Sequence, residues 1–371
     1  MDKFLRMTLI KNVIQQLELL APPIYQESYD NSGLIVGDPN NKLKGILVSL
    51  DCTEDIIEEA IKRECNMVVS HHPIVFGGLK KINGKNYVER TVIKAIKHDI
   101  AIYAIHTNLD NMSHGVNNKI ADKIGLINRK VLMPKSQSLL KLSFYCPQEH
   151  TEAVTAELSV LGAGKIGNYD SCSFKTSGEG SYRALAGSNP FIGNIGELHK
   201  ENEDKVEMIL PSHLKNSVVH RLKEVHPYEK VAYFVQSLIN ENMELGSGMI
   251  GDLTESMEAI DFLKKLKTSM NTDCVRHTKT LAKSINKVAL VGGSGSFALG
   301  SAIAQNADIF ITADFKYHEF FDAEDKIIIA DIGHYESEQF TISLLVDYLK
   351  KKIPNFAVLF TEINTNPVNY I

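Results

Sequence analysis

Runs of apolar, mostly β-branched residues recur along the chain, and each stops at a polar cluster. Residues 45–50 lead into Asp51, 66–69 into Ser70-His71-His72-Pro73, and 100–105 into His106-Thr107-Asn108-Leu109-Asp110. Further on, 287–291 lead into Gly292-Gly293-Ser294-Gly295-Ser296, 308–311 into Thr312-Ala313-Asp314, and 327–332 into Gly333-His334. Short continuous apolar runs bounded in this way predict buried strands. Helical periodicity falls between them, over 54–63 with Thr53 as a cap, 88–98, 297–305, and from 334 to about 352. Residues 1–20 read as a further amphipathic helix. Alternating strands and helices predict an α/β core with largely parallel, doubly covered sheets.

The middle of the chain has a different rhythm. Leu140-Lys141-Leu142-Ser143-Phe144 and Tyr233-Phe234-Val235-Gln236 alternate apolar and polar positions, with helical stretches at 149–161 and 211–225. A Gly/Ser-rich section at 171–196 suits long hairpins or loops. The expected organisation is therefore a core of two halves, residues 1–133 and 241–371, interrupted at 134–240 by a ferredoxin-like α+β insert.

At 371 residues the chain is long enough for two or three domains. Its formal net charge of −5 gives no basic footprint for nucleic acid or anionic membrane. Residues 1–20 lack the apolar core and cleavage site of a signal peptide, and no stretch reaches the roughly 18 apolar residues of a membrane span. A cytoplasmic location is expected. The five scattered cysteines contain no Cys-x-x-Cys, which excludes a thiolate zinc ribbon and points to reduced core thiols.

Three of the strand ends carry metal-ligand chemistry. His71 and His72 follow one strand and Asp110 follows another. His334 and Glu338 lie four apart at the start of a helix, where they share a face. Taken singly, each has a plain alternative: a core-packed His-His pair, Asp110 as a helix cap, Glu338 complementing a helix dipole. Together they place three histidines and two carboxylates at one sheet edge. That donor set suits Zn²⁺, Mn²⁺ or Fe²⁺ rather than an all-oxygen cage. Five ligands exceed what one open catalytic zinc takes and suit two ions bridged by a carboxylate and a water, with one imidazole of the His-His pair reaching each. Between two cations that water would ionise near neutral pH and act as a nucleophile.

At this point the chain resembles the GTP cyclohydrolase 1 type 2 homologues, the Ngg-interacting factor three family, over essentially its whole length. The resemblance rests on Tyr29-Asp30-Asn31-Ser32-Gly33-Leu34-Ile35-Val36-Gly37-Asp38, Ser70-His71-His72-Pro73, His106-Thr107-Asn108-Leu109-Asp110, Gly292-Gly293-Ser294-Gly295, Ile311-Thr312-Ala313-Asp314 with Tyr317-His318, and Gly333-His334-Tyr335-Glu336-Ser337-Glu338. It implies a two-metal site on His71, His72, Asp110, His334 and Glu338. In the family's pattern His72 and Asp110 hold one ion, His71 and His334 the other, and Glu338 bridges them. It also implies a toroidal homohexamer and an insert of PII- or CutA-like type, with His226-Pro227-Tyr228-Glu229 as its signature. Met249 departs from the pattern where many relatives carry arginine, as does Tyr29 where tryptophan is common.

Other residues are candidates for supporting roles. His106 and His318 are read as proton carriers or orienting partners, and Asp314 as an orienting partner. Asp51 either supports the site or caps a helix, and the Gly292–Ser296 loop is either an anion cradle or a tight turn. His226 is expected to be structural. The leading functional expectation is a metal-dependent hydrolase of a small molecule, with GTP ring opening implied by the family name and phosphoester hydrolysis as a rival. The alternative is a non-catalytic metal-binding regulatory or scaffold protein. A DNA-associated role is disfavoured by the acidic balance.

Overall fold

The computed structural model describes residues 8–281 and 284–371, so the first seven positions of the expected N-terminal helix lie outside the described residues. The helix itself is Ile10–Leu20, buried through Ile10, Val13, Leu17 and Leu20 at helical spacing. The chain divides into two compact units, Met1–Pro134 with Met243–Ile371, and Lys135–Asn242.

The first unit holds two sheets. One has the order Gly33–Val36, Ala101–Ala104, Met67–Ser70, Gly45–Ser49, Ala357–Phe360. It is parallel except for its first strand, which runs antiparallel to Ala101–Ala104. The other has the order Arg276–His277, Ile328–Asp331, Ile309–Ala313, Ser284–Ser294, Asn242–Glu258, Ile127–Lys135. Its strands Ser284–Ser294, Ile309–Ala313 and Ile328–Asp331 are mutually parallel. The long strand Asn242–Glu258 joins them antiparallel, so this sheet is mixed.

Side-chain alternation along the strands sorts the core into layers. Val48, Val69 and Tyr103 of the first sheet share one apolar cluster with Leu290, Ile311 and Ala330 of the second, and with Val13, Ile120, Leu263 and Leu345 from helices. The opposite face of the first sheet, through Leu47, Val68 and Ile102, packs on Ile56 and Ala60 of helix Glu54–Lys62 and on Val92 and Ala95 of helix Tyr87–Lys97. The opposite face of the second, through Ala289, Phe310 and Ile329, packs on Leu299 and Ala302. Each fully buried Leu, Ile or Val contributes about 1.5–3 kcal/mol relative to exposure.

The second unit is an antiparallel sheet in the order Phe174–Arg183, Leu198–Pro211, Leu139–Pro147, Tyr233–Leu238. Leu140, Leu142 and Phe144 alternate inward and meet Val154 and Leu158 of helix Thr151–Val160, and Val218 and Leu222 of helix Lys215–Val225. The Gly/Ser-rich section supplies the strand Phe174–Arg183, which pairs over its full length as one arm of a largely exposed hairpin. All five cysteines are free; Cys52, Cys65 and Cys146 are buried, whereas Cys172 and Cys274 are only half-buried.

Candidate metal centre

Ser49, Ser70 and Ala104 lie at one register level of the first sheet. The segments that follow them therefore leave its carboxyl edge side by side, carrying Asp51, His71-His72 and His106–Asp110. The His71 and His72 amides both donate to the Leu50 carbonyl, at 3.0 and 2.9 Å, so the chain turns immediately after Ser70. An extended strand would point the two rings apart. Here the turn brings their centroids to 4.9 Å and aims both at one cluster.

Each of four imidazoles is oriented by a donor bond from Nδ1. His71 donates to the Ile105 carbonyl at 2.8 Å, His72 to Asp51 Oδ1 at 2.7 Å, His106 to Asp30 Oδ1 at 2.8 Å, and His334 to Asp314 Oδ2 at 2.6 Å. Fixing the proton on Nδ1 leaves Nε2 as the coordinating atom, the arrangement typical of metal-binding histidines.

Glu338 divides these nitrogens into two sets. Its Oε1 lies 3.8 Å from His71 Nε2, which is itself 3.5 Å from Asp110 Oδ1. Its Oε2 lies 2.9 Å from His72 Nε2 and 3.2 Å from His334 Nε2. The donor atoms of His71, Asp110 and Glu338 lie within 4.8 Å of one another, as do those of His72, His334 and Glu338, and those of His71, His72 and His106. In these groups Asp110 lies with His71, and His334 with His72, each beside Glu338. The Ile105 carbonyl holds His71 Nδ1 while His71 Nε2 faces Asp110 Oδ1.

The donor set fits a cation. His71 Nε2 and Asp110 Oδ1 are both buried with no hydrogen-bond partner, a costly state unless something positive sits between them. Burial holds His71 neutral, which keeps its lone pair available. Burial, reinforced by the Glu338 charge, pushes the Asp110 carboxyl up. Burial opposes charge on His72 and His334 as well, but bonds to Asp51, Asp314 and Glu338 outweigh it and push them up to about 10 and about 11. When bound, divalent cations would take the place of those protons.

The backbone around Glu338 is equally constrained. Gly293 has φ +65°, and a Cβ there would collide with Glu338 Oε1. Its N–H donates to Ser337 Oγ at 2.8 Å, and that of Gly292 to Asn117 Oδ1 at 2.9 Å. Neither amide is free for an anion, so these two glycines serve close packing rather than a phosphate cradle. At Gly333, φ +90° turns the chain into the short helix His334–Glu338. This helix is separate from Thr341–Lys352, which corrects the single helix expected there.

The supporting residues sort clearly. Asp51 orients His72 and in turn accepts from Thr365 Oγ1 at 2.6 Å, while Thr53 is the helix cap. Asp314, with left-handed φ +58°, orients His334. Asp110 caps no helix, since Gly115 precedes Val116–Ile124. His318 is not brought to the cluster; it is exposed, with its ring near Tyr317 and Phe321. His226 is held between the Tyr145 carbonyl and the Tyr228 amide in the second unit. Two contributors escaped the sequence reading. Asp30 accepts from His106 and Thr107, bonds that outweigh its burial and hold it well below the usual carboxylate range. Thr365 lies far from the other motifs, and nothing in its local pattern marks it. A cleft of about 590 Å³ opens over the cluster, lined by Asp110, His72, His106, His334 and Glu338 among others. Among the described residues no helix is long and apolar enough to cross a membrane.

Comparison with known proteins places this geometry in context. The family profile Duf34/NIF3 (NGG1p interacting factor 3) matches residues 8–367. A "GTP cyclohydrolase 1 type 2 homolog" of Halalkalibacterium halodurans is 38% identical over 366 residues, covering 97% of this chain and 98% of the relative. A protein of the same description from Bacillus subtilis is 34% identical over 366 residues, with 97% and 98% covered. The crystal structure of a Bacillus cereus protein related to NIF3 superimposes with a TM-score of 0.87 at 32% identity, covering 99% of this chain and 100% of that one.

Proposed function

The chain belongs to the Duf34/NIF3 family, and from that premise we propose that it is a dinuclear, divalent-metal-dependent hydrolase of a small molecule. The observation that carries this reading is the division of Glu338, one oxygen facing His71 and Asp110, the other facing His72 and His334. Such a carboxylate is placed to bridge two ions. The mixed nitrogen and oxygen donors favour zinc, with manganese or iron as alternatives. When bound, a pair of divalent cations supplies Lewis acidity and lowers the pKa of coordinated water.

The protein's own groups do the rest. The carbonyl and carboxylate partners of the four Nδ1 atoms keep every Nε2 in position before ligand arrives. His106, fixed by Asp30, presents its second nitrogen to the same cluster and is placed to hold or pass a proton at the reacting atom. A homohexamer, which the family resemblance implies, and a cytoplasmic location, which the unpaired cysteines suit, complete this reading. The relatives' name makes GTP a candidate substrate, and a phosphoester is a second.

Metal analysis with turnover tests the proposal. Reconstituted wild type should carry two ions per chain and show metal-dependent loss of GTP or of bis(4-nitrophenyl) phosphate, while His71→Ala, Asp110→Ala and His334→Ala should each lose metal. Full metal content in all three variants would remove the site. If the loaded protein turns over neither compound, and Glu338→Gln alters metal content alone, the chain is a metal-binding regulatory protein instead.

A further inference from the structure

Three large aromatic side chains stand exposed at the mouth of the metal-site cleft: Tyr29 at 65%, Phe76 at 53% and Tyr87 at 59% relative exposure. They are not loose surface residues. Tyr29 and Phe76 stack at 6.3 Å with an interplanar angle of 29°, and Phe76 stands edge-on to His106 at 5.9 Å. Asn31 Nδ2 donates to the Val75 carbonyl at 2.7 Å, tying the two aromatic segments together. Asp30, next to Tyr29, is anchored by His106 and Thr107. A preorganised aromatic face thus adjoins the candidate proton carrier, inside a cleft whose 590 Å³ accommodates a bicyclic ring system.

The charge of the same cleft narrows the ligand further. Among the described residues that line it there is no Lys or Arg, and its carboxylates are Asp51, Asp110 and Glu338. Two divalent cations against these three acids, and against Asp30 and Asp314 bonded to His106 and His334, leave no net positive charge. Sites built for phosphate chains place Lys, Arg or free helix amides around them, and the Gly292 and Gly293 amides are engaged elsewhere. We infer that the substrate of this site is a planar aromatic or heteroaromatic molecule bearing at most one negative charge, its ring against the Tyr29–Phe76 face and its reacting group toward Glu338. The inference rests on the metal-centre reading above. It makes the ring, rather than a triphosphate, the recognised element of a nucleotide-like ligand.

The test is equilibrium binding to full-length zinc-loaded protein, with metal content measured on every sample. The probes are adenosine, guanosine and quinoline as rings, GTP as ring plus triphosphate, and inorganic tripolyphosphate as the chain alone. At least one ring probe should bind, GTP should bind no more than threefold tighter than guanosine, and Tyr29→Ala/Phe76→Ala should weaken ring binding at least tenfold at unchanged metal content. Tripolyphosphate binding should be indifferent to the double substitution. The inference is overturned if no ring probe binds, if GTP gains more than tenfold over guanosine, or if ring binding survives the substitution within twofold. Absence of bound metal in the wild type would instead bring down the metal-centre reading, so the two failures are separable.

Discussion

At the residue scale, the centre depends as much on what holds the imidazoles as on the imidazoles themselves. Asp51 joins Thr365 to His72 through two short hydrogen bonds. Asp51→Asn should therefore lower metal affinity about 10–100-fold without unfolding the protein, and Thr365→Val should produce a smaller loss in the same direction, both read by competition with a chelating dye. Gly293 offers a steric test. A methyl group there meets Glu338 Oε1 while the backbone stays in a left-handed conformation, so Gly293→Ala should cost about 1–3 kcal/mol and lower metal content. A variant with wild-type melting temperature and metal content would contradict the close-packing role. His71, His72, Asp110, His334 and Glu338 were legible as a group because each follows a strand and has ligand chemistry. The hydrogen bonds that orient each ring were not, since they depend on the turn after Ser70 and on the Ile105 carbonyl.

At the element scale, apolar runs located the inner strands of both sheets within a few residues, because strands buried on both faces read as continuous hydrophobic segments. The edges were less visible. Gly33–Val36 is half-buried throughout, and Ala357–Phe360 is short and partly exposed, so neither carries a strong pattern. The boundary between His334–Glu338 and Thr341–Lys352 was also hidden, since helical periodicity continues across it. In the second unit His226 gives a pH prediction. Its Nε2–H donates to the Tyr145 carbonyl and its Nδ1 accepts from the Tyr228 amide, so only the neutral ring satisfies both. Burial, opposed by the Tyr145 bond, holds its pKa below the ordinary 6.5. The unfolded chain then binds a proton that the folded one refuses, and this contribution to stability is lost as pH falls below about 6.5. Thermal melts between pH 7.5 and 5 should show the loss, and His226→Gln should flatten it. An unchanged pH slope in the variant would rule out His226 as its source.

At the scale of the whole molecule, the ligands straddle the second unit in sequence: His71, His72 and Asp110 precede it, while His334 and Glu338 follow it. Ions bound there would tie together two stretches of chain that must find each other during folding. Metal at 100 times its dissociation constant stabilises by about 2.7 kcal/mol, so chelation should lower the melting temperature of the first unit. Where the chain leaves and re-enters that unit, Gly246 lies directly against the Met133 carbonyl and Pro134. Replacing Lys135–Asn242 with a short Gly/Ser linker should accordingly preserve metal content, and loss of metal would mean that the second unit is required to build the centre. The most direct measurement of the central claim is calorimetric titration of the metal-free full-length chain with Zn²⁺. Two ions per chain, falling on substitution of Glu338 by Gln, is the predicted result; saturation at one ion or none would contradict it.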